Sequence, residues 1–370
     1  MKRTTKLLAI LLAVLLTATA LPFAAVGIKK DYGTCGDGVE WSFNQLNNTM
    51  TIRRAQSKTK PVTMSDYSTE NPPQWIKLGE LDNEIFGSIC KLIVDKGVKN
   101  VGAYAFENCT ALTEVELRDD AVTIGNGAFK DCVNLEKVTA PETLENIGDN
   151  AFFNCTALSN FPMPKKLKTI GKNAFYQCWS LLDVTVPGTV DTISDFAFFR
   201  CDSIKKLKLE KGVKHIGNSA FAECTSLLNA ELSETLQSLG MGSFSNCYSL
   251  TKIKISKPVN TIPKSAFAGC FNLTEVEFYN GVHIIEEGAF DQCPITTVKF
   301  HGNSEQYQRI RIDSFNEAVE LKKENLNNFE FIEDAADEKE PEKKESFLDK
   351  VKAFFNKILK FFKDLFASII

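Results

Sequence analysis

Residues 105–117 read AFENCTALTEVEL, residues 128–140 read AFKDCVNLEKVTA, and residues 266–278 read AFAGCFNLTEVEF. The first two begin 23 residues apart, and that step runs through the middle of the chain. Nine of the eleven cysteines obey it, at 109, 132, 155, 178, 201, 224, 247, 270 and 293. Ala-Phe pairs keep the same step from Ala105-Phe106 to Ala289-Phe290, with Ser243-Phe244 filling one slot. Ile124, Ile147, Ile170, Ile193, Ile216, Ile262 and Ile285 lie five residues before each Phe, and Val101 and Leu239 substitute elsewhere. A Leu or Ile follows Cys by three residues from Leu112 to Leu273. Helix and strand periods within one domain do not generate such a step, whereas stacked copies of one small unit do.

Inside a unit, the segment after Cys alternates with period two, as in Leu112-Thr113-Glu114-Val115-Glu116-Leu117. That predicts a short strand with Val115 and Leu117 turned inward. Pro141, Pro164 and Pro187 end it, because proline cannot continue the ladder. The Ile-Gly-x-x-Ala-Phe-x-x-Cys segment has apolar residues at helix-like gaps and reads as a short helix or turn on the convex side. One strand and one helical turn cannot bury their own Phe and Leu, so neighbouring units supply the core. The expected class is α/β: a solenoid of strand-plus-short-helix units.

The motif Ile-Gly-x-x-Ala-Phe-x-x-Cys-x-x-Leu-x-x-Val-x-Leu-Pro resembles the BspA-like leucine-rich repeats of bacterial surface proteins, over residues 81–302. Gly33-Thr34-Cys35-Gly36, Val39-Glu40-Trp41 and Thr49-Met50-Thr51-Ile52 resemble the hairpin region that precedes such repeats, placing an N-terminal cap at 21–80. Gly302-Asn303-Ser304, Tyr307, Ile310, Ile312 and Asn316-Glu317 resemble a closing unit at 303–329. The last repeat is shortened, with Ile295 only two residues after Cys293. The first is degraded, with Phe86 in the Cys slot and Ile89, Leu92 and Val94 keeping the strand pattern. The resemblance implies cell-surface adhesion or binding to a protein of a host or neighbouring cell.

Lys2, Arg3 and Lys6, an apolar run from Leu7 to Leu16 and Ala18-Thr19-Ala20 read as a cleaved secretory signal over residues 1–20. The competing reading is an uncleaved anchor helix continuing through Val26, which Pro22 would break. Cleavage after Ala20 shifts the net charge of -4 to -7. A weakly acidic chain has the wrong sign for nucleic acid, so no nucleic-acid partner is expected. The expected location is secreted, in association with the cell surface.

The cysteine column does not read as a metal site, which needs ligands converging at short spacing. Thiols stacked one strand spacing apart, about 5 Å, read as a buried ladder of small apolar side chains. Cys35 and Cys90 lie off the period, and their pairing within the cap is left open. Three histidines, His215, His283 and His301, belong to no catalytic motif, and no phosphate loop, H-E-x-x-H or G-x-S-x-G occurs. No enzyme activity, cofactor or metal is expected.

Outward strand positions are the expected contact with a protein partner: Glu114, Glu116, Lys137, Lys206, Lys208, Glu231, Lys252, Lys254, Glu275 and Glu277. From Lys208 through Glu231, Lys254 and Glu277 to Lys299 the sign alternates at each repeat, so each Lys is expected beside carboxylates. Such cross-strand pairs contribute roughly 0.2–1 kcal/mol each, enough to explain the pattern as solenoid stabilisation. These columns have no aromatic row, which leaves carbohydrate stacking unsupported there.

Residues 330–345 hold eight acidic and three basic side chains and read as an acidic linker. Residues 346–370 read as a basic amphipathic helix. Leu348, Val351, Phe355, Ile358, Phe362, Leu365 and Ile369 follow 3-4 spacing, flanked by Phe347, Phe354, Phe361, Leu359 and Phe366. Lysines interrupt the run too often for a membrane span. Attachment to a membrane surface, self-association in a bundle and docking on the solenoid compete. The alternative to an adhesin is a structural envelope component whose helix carries the function and whose repeats act as a spacer.

Overall fold

The computed structural model describes residues 32–68, 70–76, 86–320 and 328–332. The expected signal sequence 1–20 and the expected amphipathic helix 346–370 lie outside them, as does the expected linker beyond residue 332. The chain divides between Leu167 and Lys168 into two compact units.

In the first unit, the segment expected as the N-terminal cap holds the antiparallel strands Tyr32–Gly36, Val39–Asn44 and Thr49–Arg54. The third of them pairs in parallel with Lys91–Val94, so the cap sheet continues directly into the repeats. Glu114–Leu117 and Lys137–Thr139 follow, with Leu92, Val115 and Val138 in register and buried. Pro162 interrupts the next strand slot, where only an isolated bridge joins Lys137 to Asn160. The two-residue strands Asn100–Val101, Thr123–Ile124 and Asn146–Ile147 form a second parallel column.

The second unit repeats this plan. Val184–Val186, Lys206–Leu209 and Asn229–Glu231 form one parallel sheet. Lys252–Lys254, Glu275–Tyr279, Thr297–His301 and Phe329–Ile332 form another. Residues 330–332 are therefore the end of a closing strand, where sequence placed the start of the linker. Its Phe-x-Phe alternation satisfies the strand period, and the acidic run begins only afterwards.

The expected short helix is absent from the repeats: the Ala-Phe-x-x-Cys segment is a run of turns. Two left-handed residues per unit break the helical path. One precedes Ala-Phe (Tyr104, φ 52°; Asn150, φ 55°; Phe196, φ 56°), and the other precedes Cys (Asn108, φ 62°; Asp131, φ 60°; Arg200, φ 56°). A helix cannot pass through such a residue without losing its bonding pattern. The backbone groups bond instead to the next copy, as Phe106 N–H does to the Ala128 carbonyl at 2.9 Å. Glycine at the Ile-Gly step follows from this close stacking: a Cβ on Gly217 would lie 2.6 Å from the Asp195 nitrogen.

Each unit is filled by a column of phenylalanine rings. In the first, Phe106, Phe129 and Phe152 stack at 5.8 and 5.4 Å. In the second, Phe175, Phe198, Phe221, Phe244, Phe267 and Phe290 stack at 5.1–5.5 Å. Trp75 closes the first column, stacking on Phe106 at 5.3 Å and donating its indole N–H to the Ala105 carbonyl. Buried Asn316 closes the second, accepting from Phe290 N–H at 3.0 Å and donating to the Glu286 and Asp313 carbonyls. The short helix Ser304–Gln308, held by an Asn303–Gln306 capping box, seats Tyr307 in the same C-terminal core.

The periodic cysteines are free and buried. They are also hydrogen-bond donors, a role that a reading of them as small apolar groups missed. The Sγ of Cys132, Cys155, Cys201, Cys224, Cys247, Cys270 and Cys293 each reaches the carbonyl of the Phe 26 residues earlier, at 3.1–3.3 Å. Cys35 and Cys90 are free as well. The cap strand order puts three strand steps between their strands, about 14 Å, far beyond disulfide reach.

Candidate binding face

The strand face is built by alternation: with Val115 or Ile253 turned inward, Glu114, Glu116, Lys252 and Lys254 must point outward. All ten sequence-selected residues lie on this face, half-buried or exposed, and they fall into two groups. Glu114, Glu116 and Lys137 belong to the first unit, and the other seven belong to the second.

Charges in the first group are mutually satisfied. Lys91 lies 3.3 Å from Glu114 and 3.6 Å from Glu116, and Lys137 lies 3.5 Å from Glu114. Arg118 bonds Glu116 at 2.7 Å and Asp95 at 3.0 Å. The Arg118 hydrogen bond is the main reason that the Glu116 carboxyl sits below its ordinary range.

The second group follows the expected alternation only in part. Lys254 pairs with Glu277, its register neighbour. Lys299, also in register with Glu277, bonds Glu275 diagonally at 3.0 Å. Beside it stands His301, which belongs to no motif in the sequence. Its Nε2 lies 2.7 Å from Glu277, and its ring stacks on Tyr279 at 4.2 Å. Burial pushes the Glu277 carboxyl up, but Lys254 and His301 together outweigh it and leave it below the usual carboxylate range.

Lys208 and Glu231 are register partners yet make no ion pair, and Lys206 and Lys252 likewise make none among the described residues. Four charges of the face are thus unneutralised. Beside them a cavity of about 780 Å³ is lined by Ala230, Glu231, Leu232, Lys252, Ile253 and Tyr279, among others. Of these, Ala230, Leu232, Ile253 and Tyr279 were not singled out from sequence. Tyr279 was hidden because it lies one step beyond the repeating Val-x-Leu.

No group of three His, Cys, Asp or Glu among the described residues is placed to hold a metal ion. Among the same residues, no helix is long and apolar enough to cross a membrane.

Parallel strands stepped every 23 residues, with an inward Leu, Val and Phe set, define a leucine-rich β-solenoid. Residues 83–205 and 191–322 match the BspA type Leucine rich repeat region in 6 copies, and the chain belongs to this family. No curated protein matches the chain. Among solved structures, a leucine rich cell surface protein from Faecalibacterium prausnitzii is 21% identical, covering 74% of this chain and 96% of that one, with a TM-score of 0.38. A leucine-rich repeat protein from Eubacterium ventriosum is 20% identical over 77% of this chain and 93% of that one, with a TM-score of 0.41. The leucine rich repeat protein of T. pallidum is 26% identical over 58% of this chain and 88% of that one, with a TM-score of 0.43.

Proposed function

We propose that the chain is an exported, cell-surface scaffold whose strand face recognises an extracellular protein. The observation that carries this reading is the set of strand-face charges without an ion pair, Lys206, Lys208, Glu231 and Lys252, carried on two successive parallel sheets of the second unit. Charges left unpaired on a rigid surface steer a partner of complementary pattern and fix its register. Membership of the BspA-type family and the signal-like residues 1–20 support the surface location.

The test is saturable binding of the mature chain to whole host or neighbouring-cell surfaces, with protease-treated cells as the control. Lys206→Glu combined with Lys208→Glu weakens binding at least tenfold, whereas Lys166→Glu, outside the strand face, does not. Equal binding by both variants contradicts the reading.

A second reading rests on the 3-4 apolar row from Leu348 to Ile369. In it, the chain is an envelope component, its terminal segment lies on a membrane surface or self-associates, and the repeats act as a spacer. Liposome flotation separates the two alternatives: the full chain floats with anionic lipid and a copy ending at Pro341 does not.

A further inference from the structure

Exposed large apolar side chains gather along one edge of the second unit. Of the ten among the described residues, five are Trp179, Leu182, Leu228, Tyr248 and Phe271, each between 41% and 51% exposed. Trp179, Tyr248 and Phe271 follow a repeat cysteine by one residue, and Leu182 and Leu228 follow one by four. Both positions lie where the chain leaves the turns and enters the strands of the charged face.

The edge is continuous from repeat to repeat. Ser203 N–H bonds the Trp179 carbonyl at 3.1 Å, and Ser226 N–H bonds the Asp202 carbonyl at 3.2 Å. Ser249 N–H bonds the Thr225 carbonyl at 3.1 Å, and the Asn272 side-chain amide donates to the Tyr248 carbonyl at 2.7 Å. The row therefore runs over four repeat steps, about 19 Å at one strand spacing per step. Within it, Tyr248 and Phe271 stack at 5.3 Å.

The fold does not require these side chains. In the first unit the position after Cys holds Thr110, Val133 and Thr156, and the position four after it holds Thr113, Glu136 and Ser159. The Phe rings beneath them stack all the same. An exposed apolar row confined to one edge marks an interaction site, and Trp and Tyr are residue types on which binding energy concentrates.

The free charge beside the row is positive. Lys205 stands between Leu182 and Leu228 in their column, and Lys206 and Lys252 adjoin it. All three are exposed, and none forms an ion pair among the described residues. Of the neighbouring acids, Asp183 accepts Lys206 N–H at 3.1 Å, Asp202 buries one carboxylate oxygen, and Glu275 is paired with Lys299.

We infer that this edge row anchors the protein partner, which presents to it a segment of mixed apolar and acidic side chains. The inference rests on the proposed protein-binding role of the strand face and deepens it. Charges on that face fix register, and the adjoining row supplies the apolar burial from which affinity comes. A protein suits the row better than a glycan. Leu182 and Leu228 offer no ring to a sugar, and Tyr248 and Phe271 each cover one face of the other.

Two displayed libraries of 16-residue peptides test this on the mature chain. Both vary Leu, Phe, Trp and Tyr at half the positions, and the other half is Asp or Glu in one library and Lys or Arg in the second. Enriched peptides are measured by fluorescence anisotropy against four variants, each checked by thermal unfolding. Three alter the row: Leu182→Ser with Leu228→Ser, Tyr248→Ser with Phe271→Ser, and Lys205→Glu with Lys206→Glu. The fourth, Met241→Ser, changes an exposed apolar residue of the turns. The expected result is enrichment from the acidic library alone, with binding at least tenfold weaker in the first three variants and less than twofold weaker in the fourth. Enrichment from neither library, from both alike or from the basic one overturns the inference. So does binding that survives any of the first three variants, or that Met241→Ser weakens equally. Dimerisation in sedimentation velocity, or flotation with anionic vesicles, that Leu182→Ser with Leu228→Ser abolishes also overturns it, because a second copy or lipid then covers the row. If cell binding is lost with Lys206→Glu and Lys208→Glu but survives both apolar double variants, the strand-face reading stands and the edge row falls. If neither cells nor peptides bind, both fall.

Discussion

The Cys132 thiol donates to the backbone carbonyl of Phe106 across a distance of 3.1 Å. The same carbonyl accepts from Cys109 N–H at 3.2 Å within its own turn. One oxygen thus closes a turn and ties it to the following repeat. The bond recurs in both units, which explains why the column is cysteine: a side chain small enough for the turn that also carries a donor.

Replacing the donor isolates its contribution. In Cys201→Ala the Phe175 carbonyl keeps its bond to Cys178 N–H. The loss is then one weak bond and a small void, about 1 kcal/mol. Cys201→Ser keeps a donor and loses less. Urea unfolding of the three proteins checks the order.

Burial pushes the thiols of Cys109, Cys132 and Cys201 well above their ordinary range, and those of Cys35 and Cys224 up to about 12. The thiolate is the reactive form, so iodoacetamide at neutral pH spares these positions in the folded chain. Half-buried Cys90 is alkylated first. Peptide mass spectrometry reads the order, and equal labelling of Cys201 and Cys90 contradicts it.

Phe221 lies between Phe198 and Phe244, with ring centres 5.2 and 5.4 Å away. Phe221→Ala costs about 3–5 kcal/mol, as for other buried aromatic truncations. Phe331, at 37% exposure, loses far less on the same change. Thermal unfolding distinguishes them.

The Glu277 carboxyl titrates lower in the folded chain than in the unfolded one. Its contribution is therefore complete above the unfolded value near 4.5 and is lost as pH falls through the folded value. Glu277→Gln lowers stability at pH 7 by about 1 kcal/mol, and the difference from wild type shrinks below about pH 4.5. Urea midpoints at pH 7 and pH 3 measure it.

The period, the inward strand residues and the stacking of repeats were legible because cysteine and phenylalanine recur nine times and a Leu or Ile follows the cysteine in eight of the nine units. The turns were not, because their left-handed positions hold Tyr104, Phe196, Arg200 and Glu223 as well as better-suited residues. Asn108, Asn154 and Asn246 before Cys, and Gly127 and Gly288 before Ala-Phe, carried the signal in columns that apolar periodicity overlooks. Charge alternation located Lys254 beside Glu277 but could not place Lys299, which bonds Glu275 while His301 of the same strand bonds Glu277. Ala230 and Tyr279, which line the cavity, were not legible, because the repeat pattern marks the residues that recur and not the departures from it.

The central claim is that the strand face, and not the turns, meets the partner. Lysine acetylation of the mature chain, free and bound to the cells that retain it, tests this most directly. The account predicts at least fivefold protection of Lys206, Lys208 and Lys252 on binding, with Lys166 and Lys172 unchanged. Protection of Lys166 and Lys172, with the three strand-face lysines still fully reactive, would contradict it.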